Sequence, residues 1–387
     1  VCGFLFDEMG DVDWSIDTSE GQLKGFEILS DTGASLDLPH LGILREGRVD
    51  TLVHATYFQE LRSCCKAKTF DQSQDLLGII FYLLSRYEEY ATVDRDQHDR
   101  FMAMSSALYK AGAIERPIVD EILHFIAKNL KVELNNDCNL ISTIDVDFPW
   151  YRKHLKFPYY LRKKKLNNDI DPYDTYERIL NVHEKINNTP IFFFLAGRGT
   201  QYDKINRYDH DSYKNLIKYI QGSIAEVGIH PAYQSGFDQR VMKKTIKHFN
   251  DLTPQKPIRS RQHYLRLKLP LTYRLLIQQG ISHDYSLGFA DYVGFRAGTA
   301  RSFMWYDLEN ESMTNLTIHP LVAMDVTLRN YMQLAPNQSS QKLANLKSTI
   351  NRFGGNFNLL WHNSSLSEID GWYIYKDVYF DFIDSWK

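Results

Sequence analysis

Residues 142–148 read STIDVDF. Small, β-branched positions lead into two aspartates one residue apart, and a strand repeats its side-chain direction every second residue. Asp145 and Asp147 are therefore expected on one side of a strand end. Carboxylates held that close either draw in a cation or leave one member poised as a base. Around this stretch, from about residue 139 onward, short apolar runs alternate with helical patterns. NLISTID, PIFFFLA, IAEVGIH, SFMWYD, NLTIH and FNLLWH predict strands. QKLANLKSTINRF predicts a helix with Leu343, Leu346, Ile350 and Phe353 on one stripe and Gly354-Gly355 as its stop. Several of these strands end in a residue able to bind a metal or move a proton, which is where parallel β/α barrels build their sites.

Upstream, SQDLLGIIFYLLSRYEEY predicts one buried helix over residues 73–90. A second helix opens at Pro117, where the missing N–H costs nothing, and places Val119, Ile122, Leu123, Ile126 and Leu130 on one face. The polar VELNNDCN breaks this pattern. The expected division is a smaller α+β accessory domain over residues 1–138 and a β/α domain over residues 139–387.

At 387 residues the chain exceeds the size of a usual single core. It is 43% hydrophobic and 24% charged, an ordinary globular composition. A net charge of -3 gives no electrostatic case for binding nucleic acid or an anionic membrane. The one basic run, Arg162-Lys163-Lys164-Lys165, reads as a solvated helix end or loop. Cys2, Cys64, Cys65 and Cys138 show neither a CxxC nor a zinc-ribbon spacing, so no disulfide framework is expected. No apolar run reaches the roughly 18 residues of a membrane span, and no P-loop or GxGxxG points to a nucleotide cofactor. The first residue is Val1, so a removed signal peptide stays open. The cytoplasm is the favoured compartment, with the periplasm or secretion as alternatives.

Taken in order, the motifs resemble those of the NodB-homology polysaccharide deacetylases, carbohydrate esterase family four. The region 139–387 is similar to that family's distorted (β/α) barrels, which remove N-acetyl or O-acetyl groups from glycans with a divalent metal. TIDVD matches the strand-end aspartate pair, so the resemblance implies Asp145 as general base and Asp147 as metal ligand. EVGIHPAYQ matches the family's histidine, three residues, histidine motif, with His230 in the first ligand position and Gln234 in the second. An amide oxygen suits zinc less well than imidazole. RQHYL loosely matches the next motif through Arg261, which orients the base, and Tyr264, whose N–H helps bind the oxyanion. His263 stands there in a proline position. GISHDYSLGF supplies Asp284 as the expected partner of Arg261. The final LxxH occurs twice, at His319 and His362, and His362 is preferred because it ends the last predicted strand. Arg296 in GFRAGT belongs to a substrate loop or to a tight turn. Residues 1–138 resemble the accessory region that precedes some bacterial deacetylase-like domains.

The resemblance implies hydrolysis of acetyl groups on a bacterial oligo- or polysaccharide, assisted by zinc or else cobalt or nickel. Asp145 takes the water proton and His362 protonates the leaving sugar atom. Two other readings stand beside it. Because of Gln234 and His263, the cleft could instead be a disabled deacetylase fold that binds a glycan or a partner. The third is a metal amidohydrolase acting on a small amide.

Overall fold

The computed structural model describes residues 12–19, 22–30, 33–40, 49–67, 69–92, 94–152, 171–197, 200–203, 210–253 and 255–387, with Phe4, Glu8, Met9 and Ile43 as single further positions. Cys2 and the basic run at 162–165 lie outside the described residues.

An antiparallel meander comes first, made of β1 (Val12–Ser19), β2 (Gln22–Ser30) and β3 (Ser35–Pro39). Among the described residues five α-helices follow: α1 (Thr51–Ala67), α2 (Leu76–Leu84), α3 (Tyr87–Ala91), α4 (Ala107–Lys110) and α5 (Ile118–Leu130). The second sheet then begins with β4 (Cys138–Val146). After it come α6 (Tyr176–Lys185), β5 (Ile191–Ala196), α7 (His210–Gln221), β6 (Glu226–Pro231), α8 (Gln239–Leu252) and β7 (Arg259–Ser260). The chain continues through α9 (Leu271–Gln278), β8 (His283–Asp284), β9 (Phe303–Asp307), β10 (Ser312–Ile318), β11 (Ala323–Met324), α10 (Pro336–Phe353), β12 (Gly355–His362) and α11 (Lys376–Asp384).

Among the described residues the second sheet has the order β11-β12-β4-β5-β6-β7-β8-β10-β9, and only β9 runs antiparallel to its neighbour. Strands covered on both faces should be continuously apolar. β5, IFFFLA, is buried at every position. Gly228 in β6 leaves room for the neighbouring strand, because a Cβ there would stand 2.4 Å from the Phe193 ring. Residues 312–324 reach both ends of the parallel run. Their first part pairs with β8 and their last part with β12, and between them the His319 N–H donates to the Asp284 carbonyl and the Val322 N–H to that of Asn358.

The six predicted strands are present as β4, β5, β6, β9, β10 and β12. β7, β8 and β11 have two residues each, too few to show any periodicity. The single helix expected over 73–90 is two. Arg86 interrupts it in the left-handed region at φ 58°, with its guanidinium turned inward between Glu88 (2.6 Å) and Glu89 (2.9 Å).

That inward turn couples the two halves of the chain. One continuous buried cluster takes in Leu76, Ile79 and Ile122 from before residue 138 and Phe192, Trp305 and Leu343 from after it. Glu89 also binds Arg296 through Nε (2.9 Å) and Nη2 (2.7 Å), and Arg86 donates to the Arg296 carbonyl. Nearby, Asp120 accepts from the Thr299 hydroxyl (2.6 Å) and the Ala300 N–H (2.9 Å). Arg296 is thus buried against Glu89 and is no substrate loop. Its flanking glycines make the turn: Gly294 and Gly298 have φ of 131° and 68°.

Burial by itself would raise the Glu89 carboxyl, but Arg296 and Arg86 outweigh it and hold it down at about 2. A depressed folded-state pKa contributes stability above the unfolded value that is lost as pH falls towards the folded one. Wild-type protein should therefore lose stability between the ordinary carboxylate range and about pH 2. Replacing Glu89 by Gln leaves the buried Arg296 without its carboxylate and Arg86 with Glu88 alone, and a broken buried pair typically costs about 3–5 kcal/mol. Urea unfolding should show a much lower midpoint for Glu89→Gln and a shallower acid dependence. Equal midpoints would show that the pair does not hold the two halves together.

Candidate active site

Parallel strands bring their C-terminal ends to one side of a sheet, and the chemistry of this chain collects there. Asp145 lies within β4 and Asp147 just beyond it; His230 is in β6; Arg261 and His263 follow β7; His362 ends β12. The β12–β4 register sets His362 directly beside Asp145. Three imidazoles surround the Asp147 carboxylate. His230 Nε2 is 3.2 Å from Oδ1, while His263 Nε2 and His362 Nε2 are 3.6 and 3.8 Å from Oδ2. Asp145 Oδ2 is 3.6 Å from His230 Nε2, and its Oδ1 is 3.8 Å from Arg261 Nε.

The far nitrogen of each ring is occupied. His230 Nδ1 donates to the Arg261 carbonyl at 2.5 Å, His263 Nδ1 to Asp203 Oδ1 at 3.0 Å, and His362 Nδ1 to Asp325 Oδ1 at 2.9 Å. A carbonyl or carboxylate oxygen can only accept, so the Nδ1 atoms carry the protons and the Nε2 atoms face Asp147. Metal-binding histidines are oriented by outer partners of this kind. Asp203 is itself held by the Tyr233 N–H (2.7 Å) and the Thr200 hydroxyl (2.9 Å).

Electrostatics point the same way. Burial opposes charge on His263 and His362, yet Asp147 with Asp203, and Asp325 with Asp147, reverse this and push the two rings up to about 9 and about 10. Burial would raise Asp147, but His263 and His230 hold it well below the usual carboxylate range. Such a carboxylate asks for positive charge, which a cation supplies as well as protons do. Among the described residues, Asp147, His230 and His263 form the group whose ligand atoms all lie within 4.8 Å of one another. Among the described residues, the buried Asp145 Oδ1 meets no hydrogen-bond donor, and Asp147 Oδ1 has only the 3.2 Å approach of His230 Nε2. Two imidazoles and a carboxylate suit a zinc ion with open positions. The residues present therefore fit such an ion.

Residues 1–135 match a family described only as a family of unknown function, DUF7033. No curated protein matches the chain. Among solved structures the chain is similar to two proteins described as candidate polysaccharide deacetylases. The one from Mycobacterium smegmatis is 15% identical over 64% of this chain and 83% of its own, with a TM-score of 0.43. The one from Pseudomonas aeruginosa PAO1 is 12% identical over 64% and 84%, with a TM-score of 0.41. A third, from Bacillus anthracis, is described as a pseudoenzyme of carbohydrate esterase family four and is 11% identical over 65% and 59%, with a TM-score of 0.34.

The structure brings Asp145, Asp147, His230, Arg261, Tyr264 and His362 to one region, and it separates others. Gln234 is exposed on the turn after β6, where its backbone carbonyl accepts from the Phe237 and Asp238 N–H groups. The expected pair of Asp284 with Arg261 is not formed among the described residues. Ser286 takes the Asp284 carboxylate through its N–H (2.9 Å) and its hydroxyl (2.8 Å), while Arg261 Nη2 donates to Thr143 Oγ1 at 2.8 Å. Burial pushes Asp284 up to about 6, with Ser286 and Arg261 drawing it back. His319 belongs to another cluster, bonded to His283 (3.0 Å) and Ser302 (2.7 Å).

Sequence reasoning did not find Asp203, Asp325 or the ligand role open to His263. His263 was visible in RQHYL but stood in a proline position of the resembling motif. Asp203 and Asp325 lie in unpatterned segments more than 35 residues from the rings they orient, which no local spacing reveals.

If His263 and not Gln234 completes the cation site, His263→Ala should lose zinc from purified protein while Gln234→Ala keeps it. Asp203→Asn should weaken binding by about 10–100-fold. Metal analysis and competition titration measure both, and zinc lost with Gln234→Ala alone would reverse the assignment.

Proposed function

We propose that this protein is a metal-dependent deacetylase acting on an acetylated oligo- or polysaccharide, built on a distorted (β/α) barrel. One observation carries the reading: Asp147, His230 and His263 converge with both imidazole Nδ1 atoms tied down, and Asp145 and His362 flank them. When bound there, zinc, or else cobalt or nickel, supplies Lewis acidity towards a carbonyl oxygen and acidifies water.

The other residues divide the proton work. Asp145, whose Oδ1 accepts no hydrogen bond among the described residues, takes the proton of the attacking water, and the Arg261 guanidinium 3.8 Å from that oxygen keeps the carboxylate oriented. Water adds to the acetyl carbon and the bond from that carbon to the sugar nitrogen or oxygen breaks. The Tyr264 N–H meets no acceptor among the described residues, which leaves it free to donate to the developing oxyanion. His362, held by Asp325, gives its own proton to the leaving atom, so that acetate and a free amine or hydroxyl depart, and the proton left on Asp145 goes to restore His362. A disabled cleft would need both Gln234 and His263 to be lost ligand positions, and His263, with Nε2 3.6 Å from Asp147 Oδ2, stands where a ligand would.

Acetate release from an acetylated chitin oligomer, with zinc, cobalt or nickel added, tests the activity. Asp145→Asn should lower turnover by about 10²–10⁴-fold, the usual worth of a general base, while keeping its metal. Oligomer binding without acetate under every metal would favour the binding protein instead, and a preference for one sugar unit over several would favour the small-amide hydrolase. Among the described residues no helix is long and apolar enough to cross a membrane.

A further inference from the structure

We infer that the turn Asp96–Arg100, inside the segment matched by the family of unknown function, is a working part of the active site, with Arg100 as a positioning residue for His263. This rests on the reading of His263 as a metal ligand. The turn is built around one carboxylate. Asp96 Oδ1 accepts the His98 N–H (2.8 Å) and the Arg100 N–H (2.9 Å), and Asp96 Oδ2 takes Arg100 Nε at 2.7 Å. The guanidinium, fixed at one end, spends its remaining donors on residues of the β/α region. Nη1 donates to the Tyr264 carbonyl at 3.2 Å and Nη2 to the Tyr331 hydroxyl at 2.9 Å.

The Tyr264 peptide needs such a hold. Tyr264 and Leu265 both sit in the left-handed region, at φ 64° and 55°. Residues other than glycine cost on the order of 1–3 kcal/mol each when held in sparsely populated backbone regions. Tyr264 directly follows His263, so its backbone sets where the imidazole stands. The same turn also reaches the other support of that ring. His98 Nδ1 lies 3.0 Å from the Tyr233 hydroxyl, and the His98 carbonyl accepts Arg266 Nε at 2.7 Å. Tyr233 in turn donates its N–H to the Asp203 oxygen that binds His263. Both attachments of His263, the peptide after it and the carboxylate behind it, therefore lean on residues 96–100.

The test uses the full chain with Arg100→Gln and Arg100→Lys, and with Asp99→Asn as a control on the exposed side of the same turn. Lysine keeps the charge but not the fork that joins three acceptors. Zinc affinity should fall about tenfold or more in both Arg100 variants, as for other outer partners of metal ligands. In a His263→Ala background, titrated with excess zinc to read the residual affinity of Asp147 and His230, the Arg100→Gln change should cause no further loss, because sites acting through one another are not additive. In metal-free protein, amide exchange over residues 261–267 should speed up in the Arg100 variants only. Unchanged exchange there, or an equal affinity loss with and without His263, overturns the proposal. Wild-type protein that binds no zinc and releases no acetate would defeat the functional reading, while the exchange measurement would still decide this one.

Discussion

A single carboxylate, Asp147, organises this molecule's chemistry. It stands at the end of a central parallel strand with three imidazoles within 4 Å of its oxygens. Burial opposes charge on this carboxylate, and the imidazoles that the sheet delivers from several strand ends hold it well below the usual carboxylate range. The parallel arrangement does this geometrically, because all those ends open to the same side. The imidazoles could satisfy Asp147 as protonated rings or as ligands to a shared cation. Their Nδ1 atoms, tied to a carbonyl or to a carboxylate, leave Nε2 as the atom that faces Asp147 in either case.

A second constraint runs through the buried charges that join the N-terminal helices to the β/α region. Arg86, Glu89 and Arg296 satisfy one another away from water, and each would be costly alone. Their mutual dependence explains why the helix expected over 73–90 breaks at Arg86. It also explains why the glycine-flanked loop around residue 296 packs inward. The turn at 96–100, close behind in the chain, is carried by this anchored segment to the mouth of the site, where Arg100 meets Tyr264. Packing and chemistry are linked here through backbone position: the N-terminal segment touches the peptides that hold the ligands.

By itself the sequence determined the alternation of strands and helices, the apolar faces of α5 and α10, and the residues at the ends of β4, β6 and β12. These are short-range properties, set by side-chain period and by the residue that ends an apolar run; they placed Asp145, Asp147, His230 and His362 at strand ends, and it was the resemblance of the ordered motifs that implied their roles. The tertiary structure alone decided which groups stand together. It exposed Gln234, turned His263 towards Asp147, gave Asp284 to Ser286, and placed Asp203 and Asp325 behind two of the rings. Spacing along a chain specifies neighbours only within one element. A metal-binding or proton-transferring group is assembled from the ends of several elements, whose mutual positions depend on register, packing and buried charge across the whole fold.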